Sequence, residues 1–403
     1  MSQRYPGGVI SKSAPVVVGP TGSPPEGGSA PGIWTLEQAA GYIKQGLWPK
    51  PILPKQLFSW GFNNNGQLGQ NDRVVRSSPV QVGALTTWAQ VSGGRYHCGA
   101  ITTSGTLFTW GANNKGQLGQ NNTIYRSSPV QVGALTDWSQ VSAGSQHCAA
   151  ITTSGTLFTW GYNYKGALGQ NNTTSQSSPV QVGALTNWSQ VSASRYLCAA
   201  ITTTGTLFTW GNNDQGQLGQ NNTINKSSPV QVGALTTWSQ VSAGSSNCAA
   251  IKTDGTLWAW GRNIQGALGQ NNIIDQSSPV QIGALTTWSK VSCGNYFCAA
   301  ITNSGTLFAW GYNGQAALGL NDTINRSSPV QVGALTTWSQ VDAGLNACAA
   351  IKTDGTLWSW GINTNGQLGQ NDTVTKSSPV QVGALSTWSK ISAGNYFCAG
   401  ILN

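Results

Sequence analysis

The chain is poor in the residues that most chemistry uses. Only 8% of its 403 residues are charged, against roughly a quarter in an ordinary globular domain. Eleven acids and two histidines are a thin stock for general acid–base catalysis, which needs such groups close together. A non-enzymatic protein is expected. No ligand cluster of zinc type is present, so neither a metal nor another cofactor is expected. No apolar run approaches the roughly 20 residues of a spanning helix, which argues against membrane insertion. The N-terminus lacks the apolar core of a secretory signal.

What the chain does have is a period. Ser-Ser-Pro-Val-Gln starts at Ser77, Ser127, Ser177, Ser227, Ser277, Ser327 and Ser377. Trp-Gly recurs at Trp60, Trp110, Trp160, Trp210, Trp260, Trp310 and Trp360, and a second tryptophan at Trp88, Trp138, Trp188, Trp238, Trp288, Trp338 and Trp388. Each copy reads as about four short β-branched or aromatic runs between Gly, Asn, Ser and Pro clusters. No helical period interrupts them. Four strands in each of seven copies predict an all-β, seven-bladed β-propeller over 56–403. The array starts at Gln56, equivalent to Thr106, and stops at Asn403, equivalent to Thr103. The missing positions correspond to Ser104-Gly105, which read as a hairpin turn. The last strand (about 398–402) should therefore pair with the first (about 56–60) and close the ring, leaving no open edge.

The motif carried by Trp110-Gly-Ala-Asn113, Gly116-Gln-Leu-Gly119, Gly144-Ser-Gln-His147 and Ala149-Ala-Ile151 resembles the regulator of chromosome condensation repeat. The resemblance covers all seven copies and implies the same seven-bladed fold. The founding member of that family is a nucleotide-exchange factor for a small GTPase and binds chromatin, with the help of an inserted wedge and of charged surface residues. The copies here carry no insertion and few acids. A kelch array has a similar period, but its double glycine is missing.

Residues 1–33 differ in composition. Thirteen of residues 6–33 are Pro or Gly, which predicts a flexible arm. Residues 34–55 hold a capping box at Thr35 and Gln38 and a stop at Gly46 and Pro49, which predict a helix over about 36–45. Leu36, Ala39, Ala40 and Ile43 share one face, flanked by Trp34, Leu47 and Trp48. This segment suits either packing on the propeller or docking to a larger assembly. The opening residues and Gly32-Ile-Trp-Thr-Leu…Gly46-Leu-Trp-Pro49 resemble short elements of virion structural proteins of marine tailed phages. That resemblance implies a virion appendage, anchored by Trp34, Leu36, Ile43, Leu47 and Trp48 to other virion proteins and presenting its propeller to a host-surface glycan or protein. The alternative is an intracellular regulator or scaffold that binds a host protein or chromatin.

A net charge of +9 suggests an anionic partner until the charges are placed. No three basic residues adjoin, so nucleic acid is not expected. One pattern stands out. The residue before Ser-Ser-Pro is basic in five copies, at Arg76, Arg126, Lys226, Arg326 and Lys376, a possible basic ring on one face.

Seven of the eight cysteines hold one equivalent place per copy, at Cys98, Cys148, Cys198, Cys248, Cys298, Cys348 and Cys398. Equivalent places in adjacent blades should be about 10 Å or more apart, beyond disulfide reach, so small buried thiols are expected. Cys293 could reach only Cys298, and no bond is expected there either. His97 and His147 read as ordinary polar residues at a strand end.

Copies differ mainly in three windows: 62–65, 72–76 and the residues before each cysteine, with their equivalents. Drift is free where nothing packs, so these windows should be exposed. In the last window Tyr occurs in odd copies only. Seven is odd, so copies 7 and 1 meet in a closed ring, and Tyr396 and Phe397 should lie beside Arg95 and Tyr96. With Arg195, Tyr196, Tyr296 and Phe297 these form the candidate binding surface, since aromatic and arginine clusters suit protein or sugar recognition.

Overall fold

The computed structural model describes residues 54–403. The strands run β1 (Gln56–Gly61), β2 (Arg76–Gln81), β3 (Trp88–Gly93), β4 (His97–Thr102), β5 (Leu107–Gly111) and β6 (Arg126–Gln131), and this order recurs to β27 (Trp388–Ala393) and β28 (Phe397–Leu402). They form seven four-stranded antiparallel sheets, β3-β4-β5-β6 being one. Each blade is named here by the tryptophan that starts its inner strand. The Trp388 blade takes β27 and β28 from one end of the chain and β1 and β2 from the other. Gln56 pairs with Leu402 and the register continues to Gly61 with Phe397, which is the closure expected from the sequence.

Three sequence signatures acquire causes. Gly105 has φ +77°, the left-handed conformation that a tight turn asks of glycine. Gly111 has φ +106°, and a Cβ there would lie 2.5 Å from the Tyr96 carbonyl. No side chain fits, hence Trp-Gly in every copy. Asn63 is fully buried. Its Oδ1 accepts the Leu68 N–H at 2.9 Å and its Nδ2 donates to the Val74 carbonyl at 3.1 Å, so one amide ties down the long loop after β1.

The core lies between blades rather than within them. In one cluster Ala149, Ile151, Leu157 and Val182 of the Trp138 blade meet Trp188, Val191, Cys198, Ala200 and Trp210 of the next. Alternate residues of a strand therefore serve the two neighbouring seams, as a two-residue period requires. Trp110 Nε1 donates to the Gln67 carbonyl of the preceding blade at 2.9 Å. Five equivalents repeat the bond, and Trp60 to Gln367 at 3.0 Å completes the circle.

A second circle of bonds lines the channel. Ala143 N–H donates to Ser92 Oγ of the preceding blade at 2.9 Å. The pattern repeats around the ring, except that Asp342 replaces serine and accepts Ala393 N–H at 2.8 Å. Burial pushes the Asp342 carboxyl above its usual range, against the hydrogen bonds it accepts from Ala393 and Ser292.

Four copies have Thr at position 102 or its equivalent, Ser or Thr at 104 and Phe at 108, and two carry a linked set. Where Lys252 replaces the first, Asp254 and Trp258 replace the others, and Lys352, Asp354 and Trp358 do the same. The Lys252 ammonium lies 3.6 Å from the Trp258 ring centroid and 5.2 Å from that of Trp238. Trp258 Nε1 donates to Thr256 Oγ1, which donates to Asp254. Trp258→Phe alone is expected to destabilise the protein by about 1–2 kcal/mol, because the cation loses the larger ring. Urea titration of the variant checks this.

Candidate interaction face

Antiparallel order gives the ring two unlike faces. On one, the turns after β4 and the Gly83–Thr87 loops emerge. On the other, the short loops at Arg95-Tyr96 and the long loops after β1 and β5 emerge, with the first residues of the outer strands. All three windows that vary between copies open on this second face. The turn face varies less, chiefly where Lys252, Asp254, Lys352 and Asp354 replace Thr and Ser and where Asp137 and Asn187 replace Thr.

The expected meeting across the closure takes place. The Tyr96 and Tyr396 rings stack with centroids 5.5 Å apart and planes 13° apart. The Arg95 guanidinium lies 5.0 Å from the Tyr96 centroid. Phe62 adds itself to the group at 6.1 Å from both tyrosines. Its backbone N–H donates to the Tyr396 carbonyl at 3.0 Å, a consequence of the β1–β28 register. That register between the first and last strands was the signal that could have placed Phe62 in advance.

Arg195 and Tyr196 form a separate group. The guanidinium lies 5.1 Å from the Tyr196 centroid. Tyr164 meets Tyr196 edge-on at 4.9 Å and stacks on Tyr162 at 5.9 Å. Lys115 covers Tyr162 at 4.8 Å. Lys165 lies 5.3 Å from the Tyr164 centroid and pairs with Asp214. Tyr296 meets Arg262 instead, at 5.4 Å. Tyr162, Tyr164, Lys115, Lys165 and Arg262 belong to this face but not to the set expected from sequence.

Two candidates are corrected. Phe297 and Phe397 are fully buried and pack in the seams between blades. The third residue of their window points inward in every copy, so its variation reflects repacking of the core rather than exposure. His97 and His147 share that place; each stands at a strand end, as expected, and is likewise buried. His97 Nε2 lies 3.1 Å from Cys148 Sγ, and His147 Nε2 lies 3.2 Å from Cys198 Sγ. Desolvation, joined by the charge of His147, pulls His97 down to about 3. Desolvation pulls His147 down to about 4.

Six cysteines are free and buried, as expected. Burial pushes thiols such as Cys148 and Cys198 well up. Cys293 and Cys298 are bonded, against expectation, with Cα atoms 4.2 Å apart. They face each other directly across an antiparallel pair, where Cα separation is naturally short.

The basic residues before Ser-Ser-Pro open the outer strands on the same variable face, all half-buried. Arg76, Arg326 and Lys376 pair with Asp72, Asp322 and Asp372, four residues earlier, at 2.6–2.8 Å. Arg126 and Lys226 have Asn122 and Asn222 at that place and make no ion pair among the described residues. The even ring thus reduces to an arc of unpaired charge that also holds Arg95, Lys115 and Arg195. Trp34, Leu36, Ile43, Leu47 and Trp48 lie outside the described residues. Among the described residues no group of three metal-ligating side chains gathers. No described helix is long and apolar enough to cross a membrane.

Residues 56–400 match the model of the RCC1-like domain. The chain belongs to the RCC1-like domain family. Solved structures agree on the fold of this RCC1-like propeller. Human WBSCR16 is 22% identical, with 87% of this chain and 99% of that one covered at a TM-score of 0.78. Prp20p from Saccharomyces cerevisiae, described with its binding to Gsp1p and histones, is 19% identical over 87% and 92%, also at 0.78. Yeast RCC1 (Prp20) in a crystal with Kap60 is 18% identical over 87% and 89%, at 0.77. No curated protein sequence matches the chain.

Proposed function

We propose that this RCC1-like propeller is a non-enzymatic, intracellular regulator or scaffold that binds a protein partner through its variable face. One observation carries the reading. Most differences between otherwise near-identical copies gather on one face, where they assemble tyrosine and cation groups of the kind that anchor protein interfaces. The relatives support it, since Prp20p is described with Gsp1p, histones and Kap60 as partners. The virion reading rests on residues 1–8 and 32–49, outside the described residues, and no relative reported above carries it. The regulator reading is therefore preferred.

The test is affinity capture from the source cells with wild-type and altered full-length chains. Tyr96→Ala with Tyr396→Ala should weaken capture of the specific partner at least about tenfold, a loss of 1.4 kcal/mol or more. Tyr164→Ala with Tyr196→Ala should do so independently if the partner spans the arc. Leu135→Ala, on the turn face, should leave capture unchanged. Equal capture by all variants would show that the partner uses another surface.

A further inference from the structure

Two of the seven blades hold a cation inside the fold. Lys252 and Lys352 are only 9% and 8% exposed, although lysine is almost never so buried without a partner. Among the described residues neither makes an ion pair. Nor does any oxygen among them accept a hydrogen bond from the Lys252 ammonium, which has only the Trp258 and Trp238 rings beside it. Asp254, two residues on, does not take it up. Its carboxylate accepts instead from the Thr256 N–H and hydroxyl, at 2.9 and 2.6 Å. Burial lowers the pKa of Lys252, and the charge of Asp254 offsets this only in part. The rings hold the ammonium through its charge, so its N–H donors remain for an acceptor from outside.

Lys252 lines a cavity of about 370 Å³ between the Trp188 and Trp238 blades. Val232, Leu235, Trp238, Trp258 and Pro279 make most of its wall apolar. Its volume falls at the lower end of the roughly 300–1,000 Å³ of small-ligand sites. Ser278 and Asn221 complete the lining, and among the described residues their side chains make no hydrogen bond. The next seam holds the same cavity without the cation. That one is about 360 Å³, with Ile282, Leu285, Trp288, Phe308 and Pro329 in its wall, and Thr302 stands where Lys252 does. The shape therefore belongs to the repeat, and the charge is what the linked set adds.

We propose that the Lys252 cavity is a ligand site, and that its ligand is a small carboxylic acid with an apolar body, bound as the carboxylate. One ammonium asks for one negative charge and donates to it. The Ser278 hydroxyl and the Asn221 amide supply donors for the second carboxylate oxygen. The wall asks for a hydrocarbon or aromatic body, whose burial drives entry. A doubly charged phosphoryl group fits less well, because the apolar wall leaves its second charge without a partner. The site uses none of the tyrosine groups of the variable face and does not depend on the protein-binding reading.

Calorimetric titration of the full chain with octanoate, 1-octanol and octylamine near neutral pH tests this. Lys352 sits in the same aromatic cage, at 3.5 and 5.1 Å from the Trp358 and Trp338 centroids. The reference chain therefore carries Lys352→Thr, Asp354→Ser and Trp358→Phe, which copy the plain blades and leave a single lysine cavity. Octanoate should bind it at least about tenfold tighter than octanol, as befits a charge-assisted bond, and octylamine should not bind. Lys252→Met keeps the apolar stem and should bring octanoate down to the level of octanol. Lys252→Thr with Asp254→Ser and Trp258→Phe should do the same. That set recreates the blade found in four other copies, so the test survives if the single variant fails to fold. Equal binding of octanoate and octanol, or undiminished octanoate affinity after either change, overturns the proposal. A peptide ending in Ala-Leu carboxylate that binds tighter than octanoate overturns the free acid as ligand in favour of a protein chain end. Tyr96→Ala with Tyr396→Ala should leave every titration unchanged, which separates this site from the partner-binding face.

Discussion

Lowering the pH from 7.5 to 4.5 should cost the protein about 5 kcal/mol of stability through His97 and His147 alone. Both imidazoles are buried, at about 3 and about 4, against 6.5 in an unfolded chain. Above pH 6.5 neither state binds these protons, and the contribution is fully present. Below it the unfolded chain takes up protons that the folded one refuses. Stability then falls by about 1.4 kcal/mol per pH unit for each histidine until the folded values are reached. The control is written into the chain. The third copy has Leu197 at this place, buried in its seam. A His97→Leu/His147→Leu variant should match wild type near pH 7.5 and retain about 5 kcal/mol more stability at pH 4.5. Denaturant titrations across that range decide it. Asp342 titrates in the opposite sense, since its raised value favours the folded state as pH falls. It does so in both proteins and drops out of the difference. Parallel pH curves would mean that the histidines open to solvent more readily than their burial indicates.

These histidines also mark where sequence reading stops. Strand number, ring closure and the Ser104-Gly105 turn were legible because the repeat states them seven times, and each follows from local chemistry. The adjacency of Tyr96 and Tyr396 followed from an odd number of copies in a closed ring. The exposure of the window did not follow. Within three residues the first two face solvent at least partly and the third faces a seam, because side chains alternate along a strand. Variation alone cannot separate surface drift from core repacking. Phe297, Phe397, His97 and Leu197 are different fillings of one equivalent pocket. Tyr164 and Lys115 were missed for another reason. Their partners Tyr196 and Tyr162 lie 32 and 47 positions away in the chain, and only the circular placement of blades brings them together. Cys293 was misread because pairing across two adjacent strands depends on exact register, which the repeat did not reveal at a position where six copies have Gly or Ala.

Removing Phe397–Asn403 should abolish cooperative folding, although it deletes only seven residues. The deletion takes away β28, the partner of both β1 and β27. It also empties the seam that holds Phe397, Ala399 and Ile401 beside Trp88 and Trp110. Truncating one buried Phe and one Ile already amounts to about 5–10 kcal/mol, which is comparable with the whole stability of a domain. The β1 edge would then be open for pairing with other chains. The counterpart is a circular permutant in which Asn403 is joined to Gln56 by Ser-Gly and the chain is opened between Ser154 and Gly155. It keeps every strand and replaces a closure held by hydrogen bonds with a covalent turn of the type found at Gly105. It should unfold within a few degrees of the 56–403 propeller, in a single transition by both tryptophan fluorescence and circular dichroism. If instead the truncated chain unfolds cooperatively near the wild-type midpoint, the circle of Trp-to-carbonyl bonds holds the ring together without its seal. The energetic role assigned here to the shared Trp388 blade would then be wrong.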